Sequence, residues 1–266
     1  MTSIKKGFIA VTASEPQQQL AAQNLAKQYF LPYIDSSQQE KFSFVLVLSE
    51  KELMLKNIEQ KDWGNLQIDF LKGSIGYRLR HVQGQKQLLA KAIGSKTPPK
   101  ASILDLTAGL GKDGFIFAQL GFTATLLERS PIIAALLQDG LDRALSYKSY
   151  SACNIQLIHS EAKTYLSQMD TEKLPDIIYL DPMYPHSTKS ALVKKEMRFL
   201  RQIVGDDTDS QTLLPLALTH ARKRVIVKRA RSAPFLSELK PQHSIFGKKL
   251  RFDIYLTPMT CHSVGI

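Results

Sequence analysis

Hydrophobic and polar positions along the chain fall into two regimes. Up to about residue 95 they are mixed. "GFIAVTAS" predicts a strand, Glu15 to Phe30 a helix ending before Pro32, and "FSFVLVLS" a buried strand leading into a helix over Glu50 to Gln60. "LQIDFLKGSIGYRLR" alternates about Lys72-Gly73-Ser74 and predicts a hairpin, and "GQKQLLAKAIG" predicts a helix closed by Gly94. Beyond the linker "SKTPPK" the pattern becomes strand, helix, strand: "SILDLTA", a helix from Asp113 to Leu120, "TATLLE", a helix from Pro131 to Leu145, "IQLIH", a helix from Glu161 to Met169, "DIIYLD". A lysine-rich helix, a helix over Ser210 to Ala221 and "RVIVK" follow. Such alternation implies a mostly parallel sheet covered by helices on both faces. The closing "HSIFGKKLRFDIYLT" implies an antiparallel hairpin at one edge. The expectation is an α/β catalytic domain over residues 96–266, preceded by a small α+β subdomain over residues 1–95.

Composition narrows the class. The 266 residues suffice for a full core, and 44% hydrophobic with 22% charged residues excludes disordered and collagen-like chains. The longest apolar run, Ile132 to Leu137, is far short of the roughly 18 residues of a membrane span. The N-terminus lacks the pattern of a secretory signal, and Cys153 and Cys261 offer neither metal-ligand spacing nor a disulfide framework. A cytoplasmic protein without a metal is expected. Charge adds a partner. Thirty-five Lys and Arg against 24 Asp and Glu give +11, and an excess of this kind favours polyanions. The basic residues are blocked: seven, including Arg78 and Arg80, lie between Asp69 and Asp105 without an acid, and six, including Lys228 and Arg229, lie in "RKRVIVKRAR". A single such run is usually a solvated face, but three blocks, counting the lysine helix, point to nucleic acid.

In open α/β sheets ligands bind beyond the carboxyl ends of the strands, so the strand tips carry the candidate chemistry. The first reads "LDLTAGLGKDG", in which Gly109, Gly111 and Gly114 satisfy G-x-G-x-x-G, and Glu128 at the second tip is spaced to hold ribose hydroxyls. The motif alone suits a nicotinamide dinucleotide, S-adenosylmethionine, or a plain strand-to-helix turn. Asp105 and Asp113 would repel a pyrophosphate but suit a ligand carrying a sulfonium and an ammonium, which favours S-adenosylmethionine. The third tip offers His159, Ser160 and Glu161 towards adenine.

The fourth tip, "DPMY", resembles the (Asp/Asn/Ser)-Pro-Pro-(Tyr/Phe) motif of enzymes that methylate exocyclic amines of bases, with Met183 replacing the second proline. Such an amine is a poor nucleophile because its lone pair is delocalised into the ring. Asp181 and the Pro182 carbonyl can accept its two N–H groups and turn the lone pair towards a methyl donor, while Tyr184 stacks on the base. On the following helix Val193, Met197, Leu200 and Val204 form a core face, and Lys194, Arg198 and Arg201 a basic stripe. Lys189, Lys194, Lys195 and Arg198 are the expected grip on an RNA backbone.

Taken together, "DLTAGLGKDGF", "LLERSPIIAALLQDGL", "YLDPMYPH", "KSALVKKEMR" and "RFDIY" resemble the RsmJ family, bacterial methyltransferases specific for the N2 amine of a guanosine in 16S ribosomal RNA. The resemblance runs from about residue 70 to 257. It implies a Rossmann-like methyltransferase fold and S-adenosylmethionine held by Lys112 and Asp113, by Glu128 and Arg129, by Glu161 and Ala162, and by Asp181. Asp181 is thus expected at the cofactor, at the amine, or at both. The alternatives are a nicotinamide-dependent oxidoreductase and a non-catalytic RNA-binding module.

Overall fold

The computed structural model describes residues 7–72, 83–182, 195–204 and 210–257. The hairpin expected about Gly73 falls outside them.

The N-terminal unit is built on a four-stranded sheet in sequence order: β1 (Gly7–Ala13), β2 (Phe42–Leu48), β3 (Leu53–Asn57) and β4 (Asn65–Leu66). β1 and β2 are parallel, and the crossover between them carries helix α1 (Gln19–Gln28). The helix expected over Glu50 to Gln60 is not formed. β3 occupies its centre, antiparallel to β2, with Leu53, Leu55 and Asn57 inward and Met54 and Lys56 less buried. Leu, Met and Lys favour helix intrinsically, but pairing with the apolar strand β2 overrides a preference of a few tenths of a kcal/mol per residue.

The second sheet has seven strands: β5 (Ser102–Asp105), β6 (Thr123–Glu128), β7 (Ile155–His159), β8 (Ile177–Leu180), β9 (Arg224–Ala230), β10 (His243–Phe246) and β11 (Leu250–Leu256). Their spatial order is β10-β11-β9-β8-β5-β6-β7. The pairs from β9 to β7 are parallel, and β11 joins β9 and β10 antiparallel, as the sequence pattern implies. Strand order reverses between β5 and β8, where ligand-binding crevices form.

Alternation along the inner strands divides the core. Ile103, Ile177, Tyr179 and Ile226 face one side with helices α2 (Gln83–Ile93), α3 (Lys112–Gln119) and α4 (Pro131–Leu145). Leu104, Ile178, Leu180 and Val227 face the other with α5 (Ala162–Ser167) and α7 (Ser210–His220). The first cluster is continuous with the N-terminal sheet. Phe70 stacks on Phe115 with centroids 4.3 Å apart, and Arg143 Nη2 donates to the Ile68 carbonyl at 2.5 Å. Burying two such rings contributes about 3–6 kcal/mol before entropy is counted. α4 starts where its sequence directs: Ser130 caps it by accepting from Ile133 N–H, and Pro131 opens the first turn.

Helix α6 (Lys195–Val204) docks on the N-terminal unit. Leu200 is buried and Val204 packs against the core, as the spacing predicts, and Phe199, absent from that prediction, is fully buried against Phe44 and Trp63. Val193 lies outside the described residues. No helix among the described residues is long and apolar enough to cross a membrane.

Candidate functional site

The tips of β5, β6, β8 and β9 converge on one crevice. From β5 the chain turns through Thr107, Ala108 and Gly109 into α3. Gly111, the residue before that helix, has φ +69°, and a Cβ there would collide with Leu137 Cδ1 and come within 3.3 Å of Phe70. Only glycine meets both demands. Gly109, with φ +51°, has open space beside it, the nearest atom to an added Cβ being the Thr107 carbonyl at 4.0 Å. The backbone there is accessible to a ligand.

The acids predicted at this edge are brought together. Asp105 is almost fully buried and its Oδ1 accepts from Thr107 N–H at 3.0 Å. Burial pushes its pKa up to about 8; the Thr107 N–H pulls it down, and nearby Asp113 and Asp181 push it up. Glu128 is buried beside the glycine loop, accepting from Gly109 N–H at 2.9 Å and Ser130 N–H at 2.7 Å. Its pKa is pushed up to about 7 by burial, against those two donors. Asp113, in the first turn of α3, accepts at Oδ2 from the Tyr179 hydroxyl at 2.6 Å and from Lys228 Nζ at 2.6 Å.

Lys228 also donates to Asp181 Oδ2 at 2.8 Å, so one ammonium ties β9, α3 and the residue after β8 together. Burial disfavours the charged ammonium, but Asp113 and Asp181 outweigh that and raise its pKa above the ordinary lysine value. Asp181 N–H donates to Thr107 Oγ1 at 2.7 Å, fixing the backbone just before Pro182, which is buried. Burial pushes the Asp181 carboxyl above its ordinary value, and Asp113 adds to this, while Lys228 pulls it down. Because its side chain is 40% exposed, we take the lysine contact to dominate and the group to be ionised.

Two expectations about basic residues change. Lys228 and Arg229 were expected on an RNA-facing surface. Lys228 instead points into the crevice, and Arg229 is 7% exposed with Nε donating to the Pro234 carbonyl at 3.2 Å. In a strand the side chains alternate faces, so the run "RKRVIVKRAR" does not form one basic surface. At the β7 tip, Glu161 caps α5, accepting from Thr164 N–H at 2.8 Å; burial raises its pKa, but the donors prevail and lower it. Ala162 is buried, and Arg129 is exposed at the β6 tip. Lys112 opens α3 and is itself engaged within the protein. Arg198 is half-buried, its guanidinium 6.0 Å from the Trp63 ring centroid. Lys195 begins α6; Arg78, Arg80, Tyr184, Lys189 and Lys194 lie outside the described residues.

Sequence reasoning missed Thr107, Ser130 and Tyr179, and it misassigned Lys228. The signal for Lys228 was present: it directly follows the apolar run Val225-Ile226-Val227 of β9, much as Asp105 and Glu128 follow the apolar residues of their strands.

The crevice presents three neighbouring carboxyls, Asp105, Asp113 and Asp181, around the Lys228 ammonium, with Glu128 beside an accessible glycine loop. A pyrophosphate would meet repulsion here, whereas a cationic nucleoside with vicinal hydroxyls fits the charge and the acceptors. That combination on this strand order defines a methyltransferase that uses S-adenosylmethionine. A family model described as putative SAM-dependent methyltransferase matches residues 24–257, and the chain belongs to that family. More narrowly, it belongs with the ribosomal RNA small subunit methyltransferase J proteins. It is 44% identical over 248 residues to that of Coxiella burnetii strain RSA 331, covering 93% of this chain and 96% of the relative. It is 47% identical over 215 residues to that of Thioalkalivibrio sulfidiphilus, covering 80% and 84%. A solved SAM-dependent methyltransferase from Neisseria gonorrhoeae superposes with a TM-score of 0.73 at 32% identity, covering 93% of this chain and 95% of that one. The family sets aside the oxidoreductase alternative.

Proposed function

We propose that the protein transfers a methyl group to the exocyclic N2 amine of a guanosine in 16S ribosomal RNA, with residues 96–266 as the catalytic unit and residues 1–95 as an accessory one. The relatives' names supply the RNA. The observation supporting the chemistry is Asp181, whose carboxylate is fixed by Lys228 and whose backbone is fixed by Thr107 at the reversal point of the sheet. When bound, the cofactor supplies an electrophilic methyl group on a sulfonium. Glu128 would hold its ribose hydroxyls, and Asp105 and Asp113 would balance its positive charge.

The protein's work on the acceptor is alignment. Lys228 takes Asp181 Oδ2, so Oδ1 is the oxygen assigned to one amine hydrogen, and the Pro182 carbonyl accepts the other. With both hydrogens held, the nitrogen lone pair leaves the ring plane and faces the donor in line. The proton shed by the methylated amine passes to Asp181 or to water. Tyr184 is assigned to stacking on the base. Lys189, Lys194, Lys195 and Arg198 are assigned to the RNA backbone, so charge reversal among them should weaken RNA binding and flatten its salt dependence.

Nucleoside mass spectrometry of ribosomal RNA from a strain lacking the protein tests the reading. One N2-methylguanosine should vanish from 16S RNA and return when purified protein and S-adenosylmethionine are added. An unchanged inventory of that nucleoside would refute it.

A further inference from the structure

Helix α1 ends in an arrangement that normally requires glycine. Tyr29 is its C-cap; beyond it Phe30 N–H donates to the Lys27 carbonyl at 3.3 Å and Leu31 N–H to the Ala26 carbonyl at 2.8 Å. This is the paired closure in which the residue after the cap turns left-handed. Phe30 does so with φ +55°, a conformation disfavoured for any side chain with a Cβ. Packing does not explain the choice, because Phe30 is 91% exposed. A strained backbone that presents a bare aromatic ring to solvent calls for a functional explanation.

Its position supplies one. The adjacent Tyr29 is buried and packs against the His159 ring, with centroids 5.6 Å apart. His159 is the exposed last residue of β7, and its Nε2 lies 3.2 Å from the Arg129 carbonyl at the tip of β6. The N-terminal unit therefore carries Phe30 to the rim of the cofactor edge. Lys27 and Arg129 are exposed and Lys163 is half-buried, set among the acids Asp142 and Glu161, so cations that could meet a phosphate backbone flank the ring.

We infer that Phe30 is a stacking platform for an unpaired nucleotide of the substrate RNA, beside the site and separate from the base being methylated. The inference rests on the reading of RNA as the substrate. An aromatic face at a basic rim is how proteins hold single-stranded nucleic acid without reading sequence.

Phe30→Gly separates this role from a structural one, because glycine relieves the left-handed strain. The variant should melt no lower than the wild type, or a few degrees higher, and bind S-adenosylmethionine with unchanged affinity in calorimetry. Its affinity for unmethylated 16S RNA transcribed in vitro should fall about 5- to 150-fold, the value of one stacked base. The loss in methyl transfer should appear in KM for RNA and not in kcat, and Phe30→Trp should restore both affinity and KM. Unchanged RNA affinity in Phe30→Gly would overturn the inference. So would a defect seen with assembled small subunits but absent with protein-free RNA, which would assign Phe30 to a protein contact. If the wild type binds the RNA but never methylates it, the substrate reading fails while the affinity comparison still decides the role of Phe30.

Discussion

Replacing Lys228 with methionine keeps the unbranched apolar stem of the side chain, ends it one atom short and removes the ammonium. Asp113 is 7% exposed and its pairing with Lys228 spans 2.6 Å, so stripping the ammonium leaves a buried carboxylate without this partner. Such a loss costs about 3–5 kcal/mol. Asp181 is 40% exposed, and its share falls in the surface range of about 0–1 kcal/mol. A total of about 3–6 kcal/mol predicts a melting temperature lower by roughly 6–24 °C. Native Lys228 has a raised pKa, so its contribution is complete below the unfolded lysine value of about 10.4 and disappears only above it. In the variant the crevice carboxyls hold protons more tightly than in the unfolded chain. The deficit should therefore be small near pH 4 and grow as pH rises to 7. Thermal and urea denaturation at several pH values measure it, with Asp113→Asn and the double variant closing a mutant cycle. Recovery of half or more of the loss in the double variant is expected. A Lys228→Met variant within about 0.5 kcal/mol of wild type, or strictly additive losses, would refute the reasoning. Methyl transfer should drop at least about tenfold in kcat, since Asp181 loses its anchor.

Three further outcomes follow from the same site. Asp105, protonated below about 8, should ionise when a sulfonium arrives. S-adenosylmethionine should then release up to one proton near pH 7 and bind more tightly as pH rises from 6 to 8, read by calorimetry in buffers of different ionisation heat; heats independent of buffer would contradict this. Asp181→Ala should keep cofactor binding while turnover disappears if the carboxylate serves the amine, and lost binding in calorimetry would place it at the cofactor instead. Gly111→Ala combines a left-handed φ with a clash against Leu137, and should cost about 3 kcal/mol in denaturant unfolding.

The second sheet was legible because strands buried on both faces leave continuous apolar runs, and the helices between them carry their own signals, such as Ser130-Pro131 before α4. β3 was not legible, since "LMLKN" has helical propensity and becomes a strand only through pairing with β2. At the site, single tip residues could be read one strand at a time, which found Asp105 and Glu128. What joined them could not. Lys228 meets Asp113 across 115 residues and Asp181 across 47, and no local pattern encodes which acid a lysine will meet. Counting charge along "RKRVIVKRAR" hid the pleat that turns Lys228 and Arg229 to opposite faces.

The continuity of the first hydrophobic cluster bears on how this enzyme can be dissected. Severing the chain near residue 95 would unstack Phe70 from Phe115, leave Arg143 without the Ile68 carbonyl and bare the flank of α4. A fragment beginning there would own every acid of the crevice yet lack the wall that keeps the glycine turn in shape. Phe70 and Ile68 thus brace the glycine turn and α4 from outside that fragment, and a shortened enzyme is expected to keep its shape only with them retained.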